Sequence, residues 1–397
     1  MIIGFDASRA FVEDRTGTEN YSYQLLKSLS QIDSENTYMV YMRSSTLPGD
    51  ALRGWPKNFQ FKIINFPRLW TQVGLAIQTF KDNLDILFVP AHTLPIIRKP
   101  GLRTVVTVHD LGSEYLPHTH RIKQRLYLSF MQKNQLQGAT RIIAVSKATK
   151  KDLVEKIGIY PNSIKVVYEA YNDRLFIPIK GDILVNSLRG YGLKEGRYFL
   201  FVGTIQPRKN LERIIKAFSV IASEAKQSTS MEKIASSPAP GTVWDPRNDK
   251  VGMVIVGSKG WMSEEIYKLP KKLNIEERVK FLGYVADEDM PVLYSNAIAL
   301  IFPSLFEGFG LPILEAQACG CPVLTSNISS MPEVAGKGAI LVNPYNMEEI
   351  ANAMIKVQEN KIREKLIEEG FDNIKRFSWE KAARETLEVL KDTSMSS

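Results

Sequence analysis

The chain has 397 residues, 44% of them hydrophobic, and 51 Lys and Arg against 43 Asp and Glu give a net charge of +8. That is enough chain for two domains with separate cores and a cleft between them. The basic balance suits an anionic partner, whether a phosphorylated substrate, an acidic membrane surface or a nucleic acid, without choosing among these or against a merely solvated surface.

Two cysteines, Cys319 and Cys321, stand too close in sequence to staple a fold, which excludes a disulfide framework and fits small buried residues in a reduced compartment. The longest apolar runs, such as AIALIFPSLF at 297–306, fall short of the roughly 20 residues that span a bilayer. The opening MIIGFDAS lacks the basic flank and long apolar core of a secretory leader and reads as a strand running into a loop. A cytoplasmic protein is expected, soluble or peripheral on the inner face of the membrane.

β-rich runs follow in order: IIGFD (2–6), YMVYM (38–42), FKIINF (61–66), DILFVP (85–90), TVVTVHD (104–110), RIIAVS (141–146) and IKVVYEA (164–170). Amphipathic segments such as NYSYQLLKSLSQI (20–32) and KATKKDLVEKI (147–157) separate several of them. Continuous Val/Ile strands alternating with helices imply a parallel sheet covered on both faces. The segment 174–197 has weak periodicity and reads as a linker.

The pattern then restarts with YFLFVG (198–203), NLERIIKAFSVIA (210–222), VGMVIVG (251–257), VKFLG (279–283), AIALIFPS (297–304), CPVLTS (321–326) and AILVNP (339–344), a second Rossmann-like unit. The stretch 223–250, rich in Ser, Pro and Ala, reads as a flexible surface insertion. SWEKAARETLEVLKD (378–392) is strongly helical and could join either domain.

Chemistry concentrates where strands of the second unit end. EGFGLPILE (307–315) carries carboxylates at both ends of an apolar stretch, and a buried carboxylate is costly unless partnered. Pro312 suits a helix's first turn and Gly320 its end. Gly308 and Gly310 let the backbone approach a ligand, and the free N–H groups at the helix start favour phosphate. Glu307 before the helix and Glu315 one turn inside it can reach one crevice at the strand's carboxyl end. Phosphate with a polyol on each side describes a sugar nucleotide. In GTIQPRKNL (203–211), Arg208 and Lys209 precede a helix at the same sheet edge, suited to neutralising a diphosphate. The Asp287-Glu288-Asp289 run has the form of a metal-binding D-x-D, but it precedes a helix start, where acids are favoured anyway, so no metal is expected.

The RK pair after a Gly-ended strand, followed by E-x7-E in EGFGLPILEAQACGCPV, resembles glycosyltransferase family 4, the retaining enzymes of the GT-B fold, over nearly the whole chain. The resemblance implies two Rossmann-like domains with parallel sheets facing a central cleft: residues 1–173 on the acceptor side, 198–377 on the donor side, and 378–397 packing back on the first. It implies that Glu307 holds hydroxyls of the donor sugar and Glu315 the ribose. The backbone of Gly308, Phe309, Gly310 and Leu311 would meet sugar and phosphates, Arg208 and Lys209 the diphosphate, and Gly283, Tyr284 and Val285 the base. Gly17, in DRTGTENYSYQLL (14–26), matches the loop that meets the donor phosphate from the other domain, and His109 the histidine beside the reacting sugar.

His92, His118 and His120 gain no role. The basic, aromatic-interleaved segment 121–134 suits either a membrane contact or an ordinary amphipathic helix. TGTENYSYQLLKSL and HDLGSEYLPH look most like mannosyltransferases of surface-polysaccharide assembly, which implies GDP-mannose as donor, with a UDP-sugar as the other option, and a glycan or lipid-linked acceptor. No cofactor or metal is required, and no nucleic acid is bound, on this reading. The competing expectations are a sugar-nucleotide epimerase of the same architecture and a catalytically silent nucleotide-sugar-binding protein. An oxidoreductase is weaker, since neither half shows G-x-G-x-x-G between its first strand and helix.

Overall fold

The computed structural model describes residues 1–12, 17–43, 52–66, 68–91, 93–111, 133–181, 187–193, 198–228 and 251–395. The chain forms two compact units, Met1–Ala170 with Phe377–Ser397, and Tyr171–Arg376.

Among its described residues, the first unit has seven parallel strands: β1 (Ile2–Asp6), β2 (Thr37–Arg43), β3 (Phe59–Ile64), β4 (Ile86–Val89), β5 (Arg103–Val108), β6 (Arg141–Ala144) and β7 (Ile164–Val166). They lie in the order β3-β2-β1-β4-β5-β6-β7. Every residue of β4 is buried, as expected of a strand covered on both faces. The register sets Phe5 beside Phe88, and the two rings meet edge to face with centroids 5.3 Å apart.

Helix α1 (Gly17–Ile32) buries Leu25, Leu26 and Leu29 fully. The C-terminal helix (Trp379–Met395) lies against α1 and against β4 and β5, burying Ala382, Ala383 and Leu390. Two short helices, α2 (Ala76–Lys81) and α3 (Lys147–Asp152), belong to the same unit. At the start of α3, the Ser146 side chain accepts the Thr149 N–H at 3.0 Å.

Among its described residues, the second unit has six parallel strands: β8 (Tyr198–Val202), β9 (Gly252–Val256), β10 (Val279–Gly283), β11 (Leu300–Phe302), β12 (Val323–Ser326) and β13 (Ala339–Val342), ordered β10-β9-β8-β11-β12-β13. Strand order reverses between β8 and β11, and in open parallel sheets ligands bind outside the carboxyl ends of strands at such a reversal. Helices α4 (Leu211–Ser228), α5 (Glu264–Lys272), α6 (Met290–Asn296), α7 (Leu311–Ala318), α8 (Met331–Ala335), α9 (Met347–Lys356) and α10 (Asn360–Ile374) flank the sheet, and Trp379–Met395 is α11. One core joins Phe199 and Phe201 of β8 to Ile214 and Phe218 of α4 and Met253 and Ile255 of β9.

The segment 174–197 groups with the second unit. Its described part is held there by the Phe176 ring, 6.0 Å from that of Tyr294, and by the Ile179 N–H, which donates to Ser295 Oγ at 2.9 Å. Helix α4 continues to Ser228, and the remainder of the expected insertion, 229–250, lies outside the described residues, as do His92, His118, His120 and 121–132. No helix among the described residues is long and apolar enough to cross a membrane.

Candidate active site

Three glycines end adjacent strands of the second sheet. Gly203 follows β8, Gly257 follows β9 and Gly283 closes β10, all with positive φ. The Gly257 N–H donates to the Gly283 carbonyl at 2.7 Å. A Cβ on Gly257 would sit 2.1 Å from the Gly203 carbonyl oxygen, a backbone atom that no rotamer change can move. Gly257 therefore allows an approach of two strand ends that any side chain would block. Tyr284, beyond β10, is exposed and Val285 is buried.

From Gly203 the chain makes a single turn, Pro207–Lys209, and reverses at Asn210 in the left-handed region (φ 63°) before α4. The Asn210 amide donates to the carbonyls of Pro303 (3.0 Å) and Pro344 (2.7 Å), tying this turn to the loop after β11. The Leu305 N–H donates to the Arg208 carbonyl at 2.8 Å, closing the same junction. Local geometry thus delivers Arg208 and Lys209 to the loop that carries Glu307.

There the charges converge. Arg208 Nη1 donates to Glu307 Oε2 at 2.8 Å, and Lys209 Nζ donates to Oε1 at 2.6 Å. Lys209 also lies over the Phe302 ring, 4.8 Å from its centroid. Lys209 and Glu307 are buried, while the Arg208 side chain keeps 22% of its surface open. Burial pushes the Glu307 carboxyl upward, but the charges of Lys209 and Arg208 and the Lys209 hydrogen bond outweigh it and hold it below its ordinary value. Glu307 is an anion fixed between two cations.

The backbone around it is fixed as well. Ser329 Oγ donates to the Glu307 carbonyl at 2.6 Å, and the Ser330 hydroxyl lies 2.6 Å from the Phe309 carbonyl and 3.0 Å from that of Glu307. Gly310, with φ 114°, turns the loop into α7, with Leu311 as its first residue and Pro312 in its first turn. Gly308, Phe309 and Gly310 are buried along this turn.

Glu315, one turn into α7, has a separate partner: Tyr294 donates its hydroxyl to Oε2 at 2.8 Å. Desolvation pushes the Glu315 carboxyl up to about 7 against the Tyr294 bond, and the charge of Asp287 adds to the rise. The folded protein therefore keeps a proton that the unfolded chain releases. The stability it contributes is complete below the unfolded carboxyl value and is lost as pH rises towards about 7. Relative to wild type, Glu315→Gln should gain roughly 1–3 kcal/mol between pH 5 and pH 8. Urea midpoints of both proteins at the two pH values check this, and a gap that stays constant sinks it.

Asp289, in the D-x-D run, accepts a hydrogen bond from the Tyr191 hydroxyl, and Asp287–Asp289 forms a single turn leading into α6. Among the described residues there is no group of three His, Cys, Asp or Glu that could hold a metal ion. Cys319 and Cys321 are free and buried.

In the first unit, His109 follows β5. Its Nδ1 lies 2.7 Å from Glu169 Oε1 and its Nε2 3.0 Å from the Pro90 carbonyl oxygen. Gly17 begins α1 and is exposed. The structure thus joins Arg208, Lys209 and Glu307 in one cluster, sets Gly308–Leu311 beside it and Gly283–Val285 at the end of β10, two strands from β8, and gives Glu315 its own partner.

Sequence reasoning missed Asn210, Gly257, Tyr294, Ser329, Ser330 and Glu169. The polar SNISS turn after β12 was a signal for the serines, and a carboxylate just past IKVV a signal for Glu169.

Two family models match the chain: one for "Glycosyltransferase Family 4" over residues 15–174 and one for "Glycosyl transferases group 1" over 189–373. O-antigen chain mannosyltransferase B of Escherichia coli is 29% identical over 290 residues, 73% of this chain and 70% of that protein. Among solved structures, sucrose-phosphate synthase from Thermosynechococcus elongatus superposes with a TM-score of 0.73 at 18% identity, covering 99% of this chain and 98% of that one. HepE of Anabaena, solved with UDP and glucose, gives 0.69 at 17% identity, covering 99% and 100%. The architecture is the GT-B fold.

Proposed function

The chain belongs to glycosyltransferase family 4, and from that premise we propose that it moves mannose from GDP-mannose to a hydroxyl of a glycan or lipid-linked glycan in surface-polysaccharide assembly. The observation that carries the reading is the convergence of Arg208 and Lys209 on Glu307 beside a glycine loop and the start of α7. Two cations and a helix N-terminus suit a departing diphosphate. The mannose assignment draws on the O-antigen mannosyltransferase of Escherichia coli.

In this reading Arg208, the more open cation, forks across phosphate oxygens, and Lys209 adds a compact charge. Glu307, held ionised between cations, is a poor base and a poor nucleophile but a good acceptor for sugar hydroxyls. Glu315 accepts from the ribose, and the end of β10 edges the base. Transfer with retention then needs orientation and leaving-group stabilisation more than a side-chain base. The cations supply the charge a metal would bring, and Asp289 already serves Tyr191, so we assign no metal role.

Calorimetric titration with GDP-, UDP- and ADP-sugars in excess EDTA tests this. GDP-mannose should bind selectively. A UDP-sugar binding instead would keep the transferase reading and replace the donor, whereas a requirement for Mg²⁺ or Mn²⁺ would overturn the metal-free site.

A further inference from the structure

We propose that Glu169 is a positioning residue for the transfer: its carboxylate holds His109 as a doubly protonated imidazolium, so that the ring serves as a fixed cation and not as a base. This rests on the reading that His109 meets the reacting sugar.

The argument starts from hydrogen-bond capacity. The Pro90 carbonyl can only accept, so the ring nitrogen facing it, Nε2, carries a proton. Nδ1 faces Glu169 Oε1 at 2.7 Å, and one proton lies between them. An ordinary imidazole holds a proton about two pH units more tightly than an ordinary glutamate. The proton therefore rests on Nδ1, which leaves an ion pair whose two side chains keep 11% and 6% of their surface open.

The surroundings keep the ring in place. The Tyr21 ring stands edge-on to it with centroids 4.6 Å apart, and Tyr21 Oη lies 3.3 Å from Thr107 Oγ1. The Thr149 hydroxyl donates to the His109 carbonyl at 3.2 Å, so the capped start of α3 pins the backbone. Among the described residues, Glu169, Asp110 and Tyr21 are charged or titratable groups facing the ring. Burial opposes the ring's charge, yet the Glu169 bond and charge, with Pro90 and Asp110 behind them, raise its pKa above the usual histidine value. Burial also raises the Tyr21 phenol, which stays neutral.

With only four histidines in the chain, ¹⁵N-labelled histidine spectra can be assigned by comparison with His109→Gln. In wild type both ring nitrogens of His109 should be protonated at pH 7.5. In Glu169→Gln, which loses the main contacts that oppose burial, the ring should carry one proton at pH 7.5. The preference for GDP-mannose over GDP, or for whichever sugar nucleotide the titration selects, should then fall about tenfold in Glu169→Gln at pH 7.5. GDP binding itself should not move, and Glu169→Asp should recover part of the loss.

A wild-type ring carrying one proton at pH 7.5 would overturn the proposal even if the variants fail to fold, while leaving the transferase reading intact. A ring that loses its second proton in Glu169→Gln with no change in sugar preference would overturn it differently, by removing His109 from the sugar.

Discussion

Lys209→Met should lower turnover by about a hundred- to a thousand-fold, the loss that follows removal of one preorganised donor from a developing anion. Lys209 is buried, bonded to Glu307 and seated over the Phe302 ring, so its ammonium is positioned before any substrate arrives. Methionine keeps the volume of the stem and removes the charge. Glu307 retains Arg208 as partner, so the fold should survive with a modest loss. Nucleoside diphosphate release at saturating donor, read beside a thermal melt, separates the two effects. A folded variant with turnover within a few-fold of wild type would remove Lys209 from the leaving-group site.

Much of the architecture was legible because it is written in short-range patterns. The runs IIGFD, DILFVP and YFLFVG are apolar enough to be central strands, and each became one. The RK turn and the E-x7-E loop announced themselves by glycine, proline and charge at fixed offsets.

What could not be read depends on which distant strands become neighbours. The close approach of Gly257 to Gly203 exists only because β8 pairs with β9. Tyr294 finds Glu315 across 21 residues and Glu169 finds His109 across 60, through packing that no local period encodes. The same holds for Glu307. Its sequence suggested a grip on sugar hydroxyls, whereas its carboxylate is already gripped by Arg208 and Lys209.

That prior engagement makes Glu307→Gln the more revealing variant. The neutral amide leaves Lys209 and Arg208 facing each other without their anion, and breaking a buried charged network of this kind costs about 3–5 kcal/mol. The cost has a defined pH window. Because the Glu307 carboxyl is held below its ordinary value, the stability it contributes is present above the unfolded carboxyl value and is lost as pH falls through the folded one. The gap between wild type and variant should therefore be full at pH 7 and close in acid.

In the proposed site, a diphosphate brings the missing negative charge to the same two cations. GDP, or the diphosphate of the selected donor, should raise the melting temperature of Glu307→Gln by more than that of wild type, while transfer stays lost for want of the charged carboxylate that accepts the sugar hydroxyls. If GDP instead stabilises the variant less than wild type, the cations serve Glu307 alone, and the diphosphate must bind elsewhere on the sheet edge.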